Sequence, residues 1–100
     1  MTTVLVVDDE PLIAMALQAA LEDENYCVIT AANGRQGLER LAVTRADVVL
    51  LDMMMPVMNG RAMLQAMATD PNLRDIPVIV VSSLPEATVR LQAKAACMIL

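Results

Sequence analysis

The sequence predicts an α/β fold, a doubly wound parallel sheet with helices on both faces. Three observations lead there. Short β-branched runs at 3–7, 47–51 and 78–81 lack polar alternation, as strands buried on both faces do. Segments with helical spacing alternate with these runs, which is the pattern of βαβ units. Right-handed crossovers then leave few topologies, and such sheets bind ligands at the carboxyl ends of strands where the strand order reverses.

The elements follow in order. Residues 3–7 form the first strand. Pro11 opens a helix, as proline does at a first helical position. Leu12, Met15, Ala16, Ala19 and Ala20 share one helical face, Leu17 and Leu21 broaden it, and Asn25 is the stop signal. Cys27-Val28-Ile29-Thr30 reads as the second strand. Asn33-Gly34 marks a turn, and a helix to about residue 42 carries Leu38 and Leu41 inward. The third strand spans 47–51. Met53 to Gly60 is a loop, broken by Pro56 and ended by Asn59-Gly60. A helix over about 61–68 turns Met63, Leu64 and Met67 inward, and Asp70-Pro71-Asn72 ends it. Pro77 introduces the fourth strand, Val78-Ile79-Val80-Val81. Ser83 and Glu86 form a capping box for a helix at 85–95. Cys97-Met98-Ile99-Leu100 would begin a fifth strand.

Length and composition bound the function. One hundred residues make one domain, 1–100, and an apolar fraction of 57% makes it globular. No apolar run reaches the length that spans a bilayer. No signal peptide is visible either, because the first apolar run meets Asp8 and Asp9, so a cytoplasmic protein is the default. A net charge of -5 and seven scattered basic residues argue against nucleic-acid binding by this segment. Cys27 and Cys97 lack metal-site spacing and read as reduced core thiols. Tyr26 is the single aromatic residue and there are nine methionines, which predicts a soft core.

The chemistry lies where strands end in aspartate. Val4-Leu5-Val6-Val7 runs into Asp8-Asp9, and Val48-Val49-Leu50-Leu51 runs into Asp52. If the two strands lie parallel and adjacent, three carboxylates meet at one sheet edge and repel unless a cation sits among them. Mg²⁺ is the natural cation for an all-oxygen site of that kind. Helix capping would explain one aspartate of the first pair and leave its neighbour unexplained. Asp52 alone could be a loop residue. Followed by Met53-Met54-Met55-Pro56-Val57-Met58-Asn59-Gly60, it stands before a turn that can aim a main-chain carbonyl back toward a metal.

These segments resemble the two signatures of response-regulator receiver domains: Val4 to Pro11, with Asp8-Asp9-Glu10, and Leu50 to Gly60, with Asp52. Ala32-Asn33-Gly34 and Ile76-Pro77-Val78-Ile79-Val80-Val81-Ser82-Ser83 are similar to the family's pattern at the matching places, so the resemblance runs the length of the chain. It implies a flavodoxin-like strand order, 2-1-3-4-5, cut short at the fifth strand. It implies that Asp52 accepts a phosphoryl group, that Asp9 binds Mg²⁺ directly and Asp8 through water, and that the main-chain carbonyl of Met54 is the third protein ligand. Ser82 matches the hydroxyl that bonds the phosphoryl group and moves the following loop and fourth helix. The implied donor is the phosphohistidine of a histidine kinase or phosphotransfer protein. The implied outcome is a two-state signalling switch that assists its own phosphorylation and dephosphorylation without being an enzyme.

Some features depart from the pattern. The family's lysine after strand five would fall one place beyond Leu100, and Lys94, before that strand, cannot replace it. The fifth helix, which should cover one sheet face beside the first helix, is missing as well. The preferred expectation is a fragment of a longer receiver. As given, the chain would expose apolar surface, which predicts low solubility or association, a homodimer included. Met98 stands where the family often carries Tyr or Phe, which weakens the usual coupling to Ser82. The alternative is a degenerate receiver, a protein-binding module that takes no phosphate. An aspartate-nucleophile phosphohydrolase would want a second acid two places after Asp52, where Met54 stands.

Overall fold

The computed structural model describes residues 2–53 and 57–80. Seven elements follow in chain order: β1 (Thr3–Val7), α1 (Pro11–Asp23), β2 (Cys27–Ala31), α2 (Gly34–Val43), β3 (Val48–Leu51), α3 (Gly60–Ala68) and β4 (Val78–Val80). The four strands form one sheet in the order β2-β1-β3-β4, and each neighbouring pair is parallel. The doubly wound topology read from the sequence is present. Val81, Ser82, the helix at 85–95 and the fifth strand, with Lys94, Cys97 and Met98, lie outside the described residues, as does the Met54–Pro56 stretch of the loop.

Alternation along each strand divides the core into two layers. On one face Leu5, Val7, Ala31, Val49, Leu51 and Val78 pack with Leu41 of α2 and with Met63 and Met67 of α3. On the other, Val4 and Val6 pack with Ala14, while Leu17, Leu21, Val28, Val48 and Leu50 are partly buried against them. Leu5, Val49 and Leu51 are fully buried, so the two strands that carry the aspartates are the best-packed in the sheet.

Local chemistry sets the element ends. Pro11 occupies the first turn of α1, where its missing N–H costs nothing. Asn25 follows the helix with φ 70°, a left-handed stop that asparagine tolerates. Asn33 and Asn59, turn residues by sequence, are both helix N-caps, their side chains accepting from Gln36 N–H and Ala62 N–H at 2.9 Å. Asn33→Ala should cost about 1 kcal/mol in urea denaturation, with an unchanged slope.

Three expectations need correction. The inner face of α1 is Ala14, Leu17 and Leu21, whereas Leu12 is 77% and Met15 63% exposed, and Ala16, Ala19 and Ala20 are exposed too. Residues 11–21 contain one polar side chain, Gln18, so periodicity could not select between two apolar faces. Cys27 is an exposed thiol and no core residue, because it opens β2, the edge strand. The third strand starts at Val48: Asp47 precedes it and closes the sheet's lower edge, its carboxylate accepting from Thr3 N–H at 2.7 Å while its own N–H donates to Thr3 O at 2.8 Å.

Candidate metal centre

The register of β1 and β3 builds this site. Val7 pairs with Leu51, so the next residues of the two strands, Asp8 and Asp52, emerge side by side at the carboxyl edge. The parallel ladder extends past the strands: Asp52 N–H donates to Val7 O at 2.9 Å, and Asp8 N–H donates to Ala31 O at 3.0 Å. These bonds tie both aspartates to the sheet's rigid centre. They sit beside the β1–β3 crossover, where the strand order reverses.

One carboxylate oxygen each from Asp8, Asp9 and Asp52 lies within 4.8 Å of the others. The sequence expectation that these three meet therefore holds. Asp8 is buried at 7% exposure, Asp9 is exposed and Asp52 is half-buried. Asp8 Oδ1 also accepts from Glu10 N–H at 2.9 Å, a local turn that fixes its side chain. Neither aspartate of the pair is the N-cap of α1. That position is Glu10, which makes no side-chain capping bond. Capping does not account for the acidic pair.

The donor set fits a hard divalent cation. All three groups offer anionic oxygen, and neither Asp8 nor Asp9 forms an ion pair with a described residue. A cleft of about 280 Å³ beside Asp8 and Asp9 is lined by Gln18 of α1 and by Gln36 and Arg40 of α2, and Asp9 is open to solvent. Arg40 lines the same cleft but forms no ion pair with Asp8 or Asp9; its Nε donates to Thr30 O at 3.1 Å. Met54 and Ser82, the other residues assigned by resemblance, lie outside the described residues.

Two close backbone approaches and one unusual backbone conformation have no sequence signal. A Cβ on Gly60 would stand 2.6 Å from Asp52 O and 2.8 Å from Met53 Cα. A Cβ on Gly34 would stand 2.8 Å from Met58 O, which accepts from Gly34 N–H at 2.9 Å. Val57 takes φ 68°. The two glycines were visible as turn markers, but which backbone they approach is a tertiary fact. Nothing in the sequence announces a left-handed valine.

Comparison with known proteins agrees with this geometry. The model of the response regulator receiver domain matches residues 4–99. Protein PilH of Pseudomonas aeruginosa is 34% identical over 94 residues, covering 94% of this chain and 78% of PilH. Response regulator PleD of Caulobacter vibrioides is 38% identical over 89 residues, which are 89% of this chain and 20% of PleD. The chain thus spans only a small part of some relatives. Among solved structures, the N-terminal domain of a response regulator receiver protein from Methanoculleus marisnigri JR1 superposes with a TM-score of 0.88 at 38% identity, covering 99% of this chain and 81% of that one. Chemotaxis response regulator CheY4 of Vibrio cholerae gives 0.87 at 31%, covering 98% and 82%.

Proposed function

This chain belongs to the response regulator receiver domain family, and on that premise we propose that it is a phosphorylation-dependent switch whose acceptor is Asp52. Receiver domains are signalling domains that work with histidine kinases and output domains. The observation that carries the reading is the meeting of Asp8, Asp9 and Asp52 within 4.8 Å at the carboxyl edge of the central strands.

In this reading an Asp52 carboxylate oxygen forms a bond to phosphorus as the phosphorus–nitrogen bond of the donor's phosphohistidine breaks. Asp9 would hold Mg²⁺ directly, Asp8 would hold it through water, and the Met54 carbonyl would be the third protein ligand. When bound there, Mg²⁺ would supply the positive charge that lets a carboxylate approach the phosphoryl oxygens. The chain contributes position. Asp52 is tethered through its N–H to Val7 and Asp8 through its own to Ala31, so little reorganisation accompanies the attack. The product gains about -1.5 to -2 charge and three acceptor oxygens. Ser82 bonds one of them, moving the loop and fourth helix that face an output partner. We propose residues 1–100 as a single receiver unit acting in the cytoplasm; among the described residues no helix is long and apolar enough to cross a membrane.

The test is incubation of the full-length protein with Mg²⁺ and acetyl phosphate, followed by intact mass. A gain of one phosphoryl group, lost in Asp52→Ala and in chelator, is expected. No gain, or a gain that survives Asp52→Ala, would defeat the reading and favour a binding module that takes no phosphate.

A further inference from the structure

The cleft beside the acidic pair holds a cation that the proposed chemistry does not use. Arg40 lines it together with Asp8, Asp9 and Gln36, and is the one basic residue among its described lining. The placement follows from the chain's direction. β2 ends at the carboxyl edge with Ala31, and α2 starts back from that edge at Gly34. Helical side chains tilt toward the helix N-terminus. Gln36 and Arg40, one turn apart on one face, therefore lean toward the edge that carries the aspartates. One bond then fixes each of them to the end of β2. Gln36 Oε1 accepts from Ala32 N–H at 2.9 Å, and Arg40 Nε donates to Thr30 O at 3.1 Å.

The Thr30 bond has an electrostatic consequence. An arginine that shares a cleft with two carboxylates can close on one of them, yet Arg40 forms no ion pair with a described residue. Its charge acts through space instead. A unit cation there offsets part of the repulsion among the three acids, and it opposes the entry of a divalent cation between them. Cleft walls focus such a field. Arg40 also stands in the last turn of α2, where a positive charge suits the helix dipole. That role accounts for a basic residue at this place but predicts no effect on metal binding.

We infer that Arg40 sets the affinity of the Asp8–Asp9–Asp52 centre for Mg²⁺: held off the carboxylates by its bond to Thr30, it weakens metal binding without occupying a ligand oxygen. The inference rests on the reading above that Mg²⁺ binds these aspartates, and adds a regulation of the same site. α2, which contributes none of the three acids, tunes the Mg²⁺ concentration at which the site fills.

The experiment titrates Mg²⁺ into full-length wild type, Arg40→Gln, Arg40→Lys and Arg35→Gln by calorimetry at low and high salt. It also follows phosphorylation by acetyl phosphate against Mg²⁺ concentration. Arg40→Gln should bind Mg²⁺ about three- to fivefold more tightly at low ionic strength, the upper range for one exposed charge. In about 1 M salt, where the Debye length is about 3 Å, the difference should fall below about twofold. The Mg²⁺ concentration that gives half the maximal phosphorylation rate should fall by the same factor as Kd. Arg40→Lys keeps the charge and should bind Mg²⁺ no more tightly than wild type. Arg35→Gln removes an equal charge from the exposed Arg35–Glu39 pair of the same helix, away from the cleft, and should leave Kd unchanged. A wild-type Kd for Arg40→Gln at low salt overturns the inference. So does an Arg40→Lys protein as tight as Arg40→Gln, which would assign the effect to the Thr30 bond. An Arg35→Gln protein as tight as Arg40→Gln overturns it too, by assigning the effect to net charge. Wild-type protein that binds Mg²⁺ but takes up no phosphoryl group overturns the functional reading alone, and wild-type protein that binds no Mg²⁺ overturns both.

Discussion

Asp9→Asn is expected to remove most of the stabilisation that Mg²⁺ confers while leaving the metal-free protein at least as stable as wild type. Asp9 is the exposed member of the acidic trio, so its replacement opens no cavity and strands no buried group. Its carboxylate adds a like charge within 4.8 Å of two others. At such separations repulsion is about 1 kcal/mol in water and larger where the surroundings are less polarisable. Neutralising it should hold or raise the metal-free Tm, most visibly at low ionic strength. Mg²⁺ reverses the order. At one hundred times its Kd, a ligand of the folded state adds about 2.7 kcal/mol, or roughly 10–20 °C for a domain of this size. Loss of a direct ligand that weakens binding about a hundredfold would leave about 0.4 kcal/mol of that gain. Thermal melts with and without Mg²⁺ should therefore cross: the variant melts at or above wild type in chelator and far below it in metal. An Asp9→Asn protein with the full Mg²⁺ shift would remove Asp9 from the metal site.

Asp8 behaves differently for a reason seen only in the structure. It is buried and its Oδ1 accepts from Glu10 N–H, so it supports the chain's turn into α1 as well as the site. The sequence gives Asp8 and Asp9 identical chemistry and adjacent numbers. The strand's alternation and the turn after it separate one inward carboxylate from one outward.

The sheet was legible because its signal is local. Val4-Leu5-Val6-Val7 and Val48-Val49-Leu50-Leu51 are apolar at every position, which suits only strands covered on both faces, and both layers are present. The meeting of Asp8 and Asp52 followed from the parallel pairing once β1 and β3 were neighbours. What escaped the sequence were choices between equals. Residues 11–21 are apolar around most of the helix, and packing over Val4 and Val6 selected Ala14, Leu17 and Leu21 over Leu12 and Met15. The two Asn-Gly pairs, at 33–34 and 59–60, carry ordinary turn chemistry, yet each asparagine caps a helix and each glycine makes room for a distant backbone. Which backbone approaches depends on contacts between segments far apart in the chain, as Gly34 and Met58 are.

Gly60 turns that distinction into a sharp expectation. As the first residue of α3 it invites replacement: alanine is a better helix former than glycine by about 1 kcal/mol. Its φ is not left-handed, so no backbone strain opposes the change. Propensity alone predicts a stabilised protein. The space around it predicts the opposite. An added Cβ would stand 2.6 Å from Asp52 O, 2.7 Å from Met53 Sδ and 2.8 Å from Met53 Cα. The sulfur could swing aside, but the other two atoms belong to the backbone that leaves β3, and Asp52 N–H is bonded to Val7 O behind them. Either α3 retreats, stretching the Gly60 N–H bond to Met53 O, or Asp52 moves. Overpacking of this kind costs about 1–3 kcal/mol, which outweighs the propensity gain. Gly60→Ala should therefore unfold at lower urea than wild type and lose phosphorylation by acetyl phosphate at least tenfold, since about 1 Å of misplacement suffices for about a hundredfold loss. Arg61→Ala, one residue further along the same turn and exposed, is the control and should change neither. A Gly60→Ala protein that is more stable and reacts normally would mean that α3 slides freely over β3. The carbonyl of Asp52 would then not be what fixes the proposed acceptor in place.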